Sequence, residues 1–288
     1  MTERGIVCKA VGGVFTVLNE KNSKTVCYAP KKLRFCDKDI LVGDKVEFET
    51  NKSNKKGLIC DVFQRKNKLS RPEIANVDVC CILIANLPEP DFYLVDKVIV
   101  NCFEQNILPV VVVNKCDLGN ETFDLAQKNY SKVCDVVSVS ANNNDFDCLK
   151  KYFKKNIVCF VGQSAVGKTS LLNAFIPGLL QKTGDVSEKS GRGTHTTRQS
   201  SLHTIYDGFL VDTCGFSLCE LSVKSCDLHL YYDDFVTQDM CKYSSCTHTV
   251  EPNCAVKKAV ENGTIFKDRY ERYLFEYKEL VEKEKNQF

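Results

Sequence analysis

The sequence predicts a multidomain chain: an N-terminal β-barrel, a central α/β domain and a C-terminal, mainly helical domain. Short strand-like segments separated by turn residues fill the first part of the chain. Continuous apolar runs then alternate with helix-length stretches, as in a parallel sheet covered by helices. A cluster of cysteines and a histidine precedes the final helical pattern. The expected boundaries are residues 1–66, 72–221 and 222–288.

The composition is that of a globular chain of 288 residues, with 43% hydrophobic and 26% charged residues. No apolar run reaches the roughly 18 residues that a membrane span needs. The N-terminus lacks the basic and then apolar layout of a secretion signal, so we expect a cytoplasmic protein. In that compartment the 17 cysteines are expected to be reduced. They are expected to be metal ligands, spacers within nucleotide motifs, small apolar residues or surface thiols rather than members of disulfides.

The N-terminal part is predicted to be a five-stranded barrel, with an OB-fold favoured and an SH3-like barrel as the alternative. The expected strands are Gly5–Ala10, Val14–Asn19, Thr25–Tyr28, Lys45–Glu49 and Gly57–Phe63. The segment that follows, 65–72, is interpreted as an exit linker.

The charge of the chain is concentrated in this barrel. Residues 1–66 hold 14 Lys and Arg against 8 Asp and Glu, a net charge of +6, whereas the whole chain carries +2. Basic residues in and near the predicted loops are Lys31, Lys32, Arg34, Lys52, Lys55 and Lys56. Such a barrel is suited to the RNA backbone, although ordinary solvated lysines explain the charge equally well.

The central part is predicted to be an α/β domain. Its expected strands are Val79–Ala85, Leu108–Val113, Val136–Val139, Ile157–Val161 and Asp207–Val211. Helices are expected near Tyr93–Gln105, Leu125–Val133 and Asp145–Lys154.

A phosphate-binding loop is predicted at 162–169, where Gly-Gln-Ser-Ala-Val-Gly-Lys-Thr matches GxxxxGK[ST] between a strand and a helix. The glycines allow backbone N–H groups at the helix start to point at phosphate oxygens. Lys168 adds a positive charge at the β- and γ-phosphates, and Thr169 offers its hydroxyl to Mg²⁺.

A second phosphate-side motif, Asp212-Thr213-Cys214-Gly215, follows the last predicted strand. An aspartate at this position can hold Mg²⁺ through water, and the amide of Gly215 can contact the γ-phosphate. The intervening loop, Ser-Gly-Arg-Gly-Thr-His-Thr-Thr-Arg at 190–198, can supply a second hydroxyl to Mg²⁺.

The base is predicted to be guanine, because Asn114-Lys115-Cys116-Asp117 follows a strand and matches NKxD. The carboxylate of Asp117 can accept two N–H bonds from guanine, and adenine cannot make that pair. Ser140 and Ala141 follow the next strand, where a backbone amide can bind guanine O6.

The order of these motifs is unusual. The base motifs at 114–117 and 140–142 precede the phosphate loop, whereas the reverse order is usual in GTPases, and no second NKxD follows Gly215. The central domain is therefore predicted to be a circularly permuted P-loop GTPase domain.

A metal site is predicted from the spacing Cys241-x4-Cys246-x-His248-x5-Cys254. Three thiols and one imidazole form a closed tetrahedral set, which is typical of structural rather than catalytic Zn²⁺. Helices are expected after it, over Cys254–Asn262 and Lys267–Lys285.

With these parts in this order, the chain resembles the RsgA/YjeQ family of ribosome small-subunit-dependent GTPases over nearly its whole length. The motifs that carry the resemblance are Val42-Gly43-Asp44, NKCD, GQSAVGKTSLLN, GRGTHTTR, DTCGF and the cysteine–histidine cluster. The resemblance implies a GTP hydrolase that the small ribosomal subunit stimulates and that acts late in the maturation of that subunit. The alternative function is a nucleotide-switched RNA-binding or RNA-chaperone protein in which hydrolysis is incidental.

The implied partners are GTP or GDP and the small ribosomal subunit with its rRNA. No membrane partner is expected, and the chain is expected to be a monomer. The implied cofactors are one structural Zn²⁺, held by Cys241, Cys246, His248 and Cys254, and Mg²⁺, held by Thr169, Thr197 and, through water, Asp212. The residues expected to bind nucleotide are Asn114, Lys115, Asp117, Ser140, Ala141, Gly162, Gln163, Ser164, Ala165, Val166, Gly167, Lys168, Thr169, Ser170, Thr197, Asp212 and Gly215.

The catalytic residues implied are Lys168 and, as a candidate, His195. Phe216 stands where Ras-like enzymes carry a glutamine that orients water, and a hydrophobic side chain cannot do so. The resemblance points instead to His195, whose alternative role is only to position its loop. Thr196 is the alternative to Thr197 as the Mg²⁺ ligand.

Two positions depart from the family pattern. Ala165 replaces a glycine, which we expect to be tolerated if its φ is negative. Cys214 replaces a proline, which is expected to loosen the turn after Asp212.

Overall fold

The computed structural model describes residues 2–30, 39–51, 56–70, 73–177, 200–212, 220–235 and 240–286. These residues form the predicted order of a barrel, an α/β domain and a mainly helical C-terminal part. None of the described helices is long and apolar enough to cross a membrane.

The barrel consists of five strands. They are β1 (Thr2–Val11), β2 (Val14–Asn19), β3 (Lys24–Tyr28), β4 (Lys45–Thr50) and β5 (Lys56–Val62). The strand order is β1-β2-β3-β5-β4, and pairing of β4 with β1 closes the barrel. β3 and β5 run parallel while the other pairs are antiparallel, which is the predicted OB-fold. Alternate residues such as Val17, Phe48 and Ile59 fill its interior.

The segment predicted to be a linker is tied to the barrel and contains a strand. β6 (Lys68–Ser70) pairs with β7 (Glu73–Ala75). Arg65 forms a bidentate ion pair with the buried carboxylate of Asp44, with both N–O distances 2.7 Å. A planar guanidinium matches a carboxylate in two hydrogen bonds, so the exit from the barrel has a fixed direction.

The α/β domain is built on six strands. They are β8 (Val79–Ala85), β9 (Leu108–Asn114), β10 (Asp135–Ser138), β11 (Ile157–Gly162), β12 (Ser201–Ile205) and β13 (Gly208–Asp212). Their order is β10-β9-β8-β11-β13-β12, and only β12 is antiparallel to its neighbour β13. The sequence did not predict β12, whose short Ser-Leu-His-Thr-Ile pattern lacks the continuous apolar character of the buried strands.

Helices cover both faces of this sheet. α1 (Phe92–Glu104) lies close to the prediction, whereas α2 (Glu121–Tyr130) begins four residues earlier than predicted. Glu121 and Asp124 in its first turn suit the positive end of the helix dipole. The third predicted helix is a 3₁₀ helix over Asp147–Phe153, and α3 (Lys168–Phe175) follows the phosphate loop.

The C-terminal part contains 3₁₀ helices over Ser225–Tyr231 and Asp233–Phe235, then α4 (Ala255–Glu261) and α5 (Lys267–Lys285). Its core, which includes Leu228, Tyr232 and Tyr273, also contains Val100 of α1. α5 therefore packs on the α/β domain, and Asp96 of α1 forms buried ion pairs with Arg269 and Arg272 of α5.

Candidate functional site

The phosphate loop lies between β11 and α3, in the middle of the sheet. Gly162 has a φ of +143°, and a Cβ there would lie 2.2 Å from the carbonyl oxygen of Leu83. Gly167 has a φ of +93° and directly precedes the helix. These two positions require glycine, so the loop folds tightly against β8 and presents the helix start to a ligand.

Ala165 also adopts the left-handed region, with a φ of +65°. The condition under which we expected alanine to be tolerated, a negative φ, is therefore not met. A methyl group in this conformation costs about 1 kcal/mol relative to glycine. A lysine from another loop stabilises this turn. The ammonium of Lys115 donates to the carbonyl oxygen of Ala165 at 2.9 Å and to that of Leu87 at 2.6 Å.

Lys168 points its ammonium into the loop. Nζ donates to the carbonyl oxygen of Gly162 at 2.6 Å and also to that of Gln163. Burial lowers the pKa of Lys168 from its ordinary value. A half-buried ammonium among backbone groups suits a phosphate anion, whose charge offsets the loss of water.

Thr169 and Asp212 lie on neighbouring elements at this end of the sheet. Thr169 is the second residue of α3, and Asp212 ends β13, which pairs in parallel with β11. The remaining predicted phosphate-side residues lie outside the described part of the chain: His195, Thr196, Thr197, Cys214, Gly215 and Phe216.

Asn114 joins the predicted base motif to the phosphate loop. Its side chain is 1% exposed, and Nδ2 donates to the carbonyl oxygen of Val166 at 3.0 Å. Oδ1 accepts the backbone N–H of Ala141 at 3.3 Å. A Cβ at Gly167 would lie 2.3 Å from Nδ2, so that glycine also makes room for Asn114. The structure thus brings together three loops that are distant in sequence.

Asp117 is exposed at the edge of these loops, on a 3₁₀ helix over Cys116–Leu118. Ser140 Oγ donates to Oδ1 of Asp117 at 2.6 Å. This hydrogen bond, with a further one from Asn142, lowers the pKa of the carboxyl. The carboxylate is therefore a fixed, ionised hydrogen-bond acceptor, which suits the N–H groups of a base.

The predicted metal ligands converge in the C-terminal part. The ligand atoms of Cys241, Cys246, His248 and Cys254 all lie within 4.8 Å of one another. Cys241 Sγ is 3.9 Å from Cys254 Sγ, and His248 Nδ1 is 3.3 Å from Cys254 Sγ and 3.6 Å from Cys241 Sγ.

These separations fit a tetrahedral zinc ion. Ordinary Zn–S and Zn–N bond lengths give edges of about 3.5 to 3.8 Å, close to the separations of 3.3 to 3.9 Å among Cys241, His248 and Cys254. Burial opposes ionisation of the Cys241 thiol, but backbone N–H groups, including that of Ala255 at 3.4 Å, lower its pKa. A stabilised thiolate in a closed cluster is the donor that structural Zn²⁺ requires.

The loop that carries His248 is held by a residue that the sequence analysis missed. The carboxylate of Glu251 accepts the N–H of Thr247 at 2.8 Å and that of Thr249 at 2.9 Å, on either side of the histidine. Burial would raise the pKa of Glu251, but these hydrogen bonds outweigh it and lower the pKa to about 2. Tyr270 donates to the carbonyl oxygen of His248 at 2.7 Å. The Thr-x-Thr-x-Glu spacing was the available signal.

Sequence comparison finds a match to the RsgA GTPase family over residues 62–222. Two proteins named "Small ribosomal subunit biogenesis GTPase RsgA" are each 37% identical to this chain. The relative from Ruminiclostridium cellulolyticum aligns over 96% of this chain and 93% of its own length. The relative from Thermotoga petrophila aligns over 99% of both.

The solved structures similar to this chain include those of YjeQ and YloQ. YjeQ from Thermotoga maritima superposes with a TM-score of 0.84 and 34% identity, over 98% of this chain and 99% of that one. YloQ, described as a circularly permuted GTPase, superposes with a TM-score of 0.82 and 28% identity, over 98% and 96%.

Proposed function

Since this chain belongs to the RsgA GTPase family and is therefore a GTPase, we propose that it binds the small ribosomal subunit late in maturation and that the subunit stimulates its GTP hydrolysis. The names of the full-length relatives support a role in small-subunit biogenesis. The observation that carries the nucleotide assignment is the contact of Asn114 with Val166, because it joins a guanine-type motif to a phosphate loop.

The proposed nucleotide contacts follow the geometry of the loops. The N–H groups at the start of α3 and the ammonium of Lys168 hold the phosphates. Asp117, fixed by Ser140, accepts the two guanine N–H groups. Lys115 lies along the base, and the amide at Ala141 binds guanine O6. The other residues expected to bind nucleotide, those of the phosphate loop and Ser170 after it, are proposed to contact the phosphates.

Magnesium fits beside Thr169 and Asp212, whose hydroxyl and carboxylate are the oxygen ligands this ion prefers. Thr197 is the proposed second hydroxyl ligand. When bound, the ion neutralises charge on the β- and γ-phosphates. Thr169 orients its hydroxyl from the first turn of α3, and Asp212 acts through water from the end of β13. We propose that the amide of Gly215 contacts the γ-phosphate.

We propose that His195 orients the attacking water, because Phe216 cannot. Turnover by the chain alone is then slow, since the catalytic set is incomplete until the ribosomal partner positions this loop.

In this proposal the three domains have separate roles. The barrel of residues 1–66 and the zinc-binding unit of residues 222–288 contact rRNA, while residues 72–221 bind and hydrolyse GTP. The zinc cluster is structural, with Cys241, Cys246, His248 and Cys254 as the four ligands. The GTP-bound monomer docks on the immature subunit in the cytoplasm, and hydrolysis releases it.

The test is the steady-state rate of GTP hydrolysis with and without purified small subunits. Stimulation by that subunit supports the proposal. Equal rates support the alternative of an RNA-binding or chaperone protein with incidental hydrolysis.

A further inference from the structure

The side chain of Gln163 connects the phosphate loop to the start of α1. Its Oε1 accepts the backbone N–H of Asp91 at 3.0 Å. Asp91 is the N-cap of α1, and its own carboxylate accepts the N–H of Leu94 at 2.9 Å. Because the N-cap is the residue from which a helix begins, a hydrogen bond to it acts on the placement of the helix.

The backbone of Gln163 is in contact with the predicted phosphate lysine. The ammonium of Lys168 donates to the carbonyl oxygen of Gln163. A phosphate anion would compete with this carbonyl oxygen for the ammonium, because hydrogen bonds between two charged groups are the stronger ones. Phosphate binding therefore acts on Gln163 through its backbone, while its side chain holds the start of α1.

The base motif holds the same end of α1. The segment between β8 and α1, residues 86–91, receives two further hydrogen bonds from the loop that follows β9. The ammonium of Lys115 donates to the carbonyl oxygen of Leu87 at 2.6 Å. The side-chain amide of Asn86 donates to the carbonyl oxygen of Gly119 at 3.1 Å. Both halves of the predicted nucleotide site thus contact the segment that leads into α1.

Helix α5 of the C-terminal part packs on the same turns of α1. The ring of Tyr93 meets the ring of Phe275 edge to face, with centroids 5.2 Å apart. The buried carboxylate of Asp96 pairs with Arg269 and Arg272. Five residues of helix separate the N-cap from Asp96, which is about 7.5 Å along the axis. The contacts with the nucleotide loops and with α5 therefore act on one short, rigid stretch of helix.

We propose that Gln163 is a positioning residue that couples the nucleotide site to the docking of α5 on α1. While α5 holds α1 in place, Gln163 meets a fixed helix start, and the phosphate loop is pre-organised for nucleotide. Loosening of α5 frees α1 and weakens nucleotide binding. Such coupling is reciprocal, so bound nucleotide also tightens the contact between α5 and α1. This inference rests on the proposed nucleotide contacts and extends their effect to the C-terminal part.

The test is a double-mutant cycle in the affinity for GDP, measured on the full-length protein with a fluorescent GDP analogue. Asp96→Asn keeps the size of the side chain but removes its charge, and it weakens GDP binding about fivefold. Gln163→Leu keeps bulk but loses the acceptor for the N–H of Asp91, and it also weakens binding. In the Gln163→Leu background, Asp96→Asn has no further effect, whereas two independent changes would multiply.

A second variant perturbs the same contact from the side of α5. Phe275 is 54% exposed, so Phe275→Ala is expected to fold, and it weakens GDP binding about twofold or more through its contact with Tyr93. Lys267→Ala is the matched control on α5. Lys267 pairs with Glu271 within α5, at 3.6 Å, so its loss leaves GDP affinity unchanged. Thermal melting confirms that each variant is folded.

Hydrogen exchange measures the reciprocal effect. Saturating GDP slows amide exchange in α5 of the wild-type protein. In Gln163→Leu, GDP at a concentration that again saturates the protein leaves the exchange of α5 unchanged. A role of Gln163 confined to the phosphate loop would keep the protection of α5, because saturation compensates for the weaker binding.

Three results would overturn the proposal: wild-type GDP affinity in both Asp96→Asn and Phe275→Ala, an equal loss from Asp96→Asn in both Gln163 backgrounds, or protection of α5 that persists in Gln163→Leu. Small-subunit stimulation of the wild-type protein is measured in parallel. GDP binding and stimulated turnover without the coupling would reject this inference alone. A wild-type protein that does not bind GDP would reject the proposed nucleotide site together with it.

Discussion

Lys9 of the barrel and Asp212 of the GTPase domain are separated by a single residue, Ser201, which pairs with both across strand β12. The backbone of Asp212 is therefore about 10 Å, two strand spacings, from the backbone of Lys9. Strand β12 follows the loop at 190–198 that is predicted to supply a hydroxyl to Mg²⁺, and Asp212 begins the DTCG motif. We propose that a shift of this hairpin with nucleotide state moves the barrel and so couples its proposed rRNA contact to hydrolysis.

Base choice is predicted to depend on Asp117. Asp117→Asn replaces an acceptor by a donor and an acceptor, so the preference should move from guanine to xanthine nucleotides. Competition binding with GTP and xanthosine triphosphate measures this. Ser140→Ala, which removes the 2.6 Å hydrogen bond but keeps the carboxylate, is the control and should retain guanine preference with weaker affinity. Unaltered GTP preference in Asp117→Asn would show that another residue selects the base.

The contact between α1 and α5 is predicted to depend on Asp96. Its carboxylate is fully buried and pairs with Arg269 and Arg272. Asp96→Ala leaves the buried Arg269 with Asp234, at 2.8 Å, as its remaining ion-pair partner among the described residues, and should lower the free energy of unfolding by about 3 to 5 kcal/mol. Urea denaturation is the measurement.

Lys97→Ala is the matched control for Asp96→Ala. Lys97 is the next residue of α1 and pairs with Glu279 of α5 at 2.9 Å, but the Glu279 side chain is 47% exposed. Loss of this pair should cost less than about 1 kcal/mol. Similar losses of unfolding free energy in the two variants would refute the special role of the buried Asp96 carboxylate.

Zinc affinity is predicted to depend on Glu251, although it is not a ligand. Glu251→Ala removes the acceptor for the N–H groups of Thr247 and Thr249, so the loop no longer holds His248 in place. Zinc affinity should fall about tenfold, measured by competition with a chromogenic chelator. Glu261→Ala, at an exposed glutamate that ends α4, should leave it unchanged. Equal zinc affinity in both variants would show that Glu251 does not support the zinc site.

His195 is predicted to act in hydrolysis rather than in binding. His195→Ala should lose subunit-stimulated turnover while keeping its affinity for GTP, because the base and phosphate contacts do not involve it. Single-turnover hydrolysis and nucleotide binding, measured on the same preparation, separate the two effects. Stimulated turnover at the wild-type rate would eliminate the catalytic role.

The sequence predicted most of the strands because their signals are local. Val79–Ala85 is a continuous apolar run, and the structure has the same strand limits. The cysteine–histidine spacing likewise predicted which four side chains form the metal cluster, because they lie close together in the sequence.

Other features depend on contacts that no local pattern contains. The positive φ of Ala165 is supported by Lys115, which is 50 residues away. Asp96 and Arg269 are 173 residues apart, and a lone aspartate within an apolar helix did not indicate its partner. Strand β12 depends on its pairing with β1 and β13 rather than on its own composition.

The most direct test of the central claim is GTP turnover by the full-length chain in the presence of purified small ribosomal subunits, with large subunits as the control. The proposed function predicts slow turnover alone, a rise on the order of tenfold or more with small subunits, and no rise with large subunits. Turnover that is the same under all three conditions would contradict it.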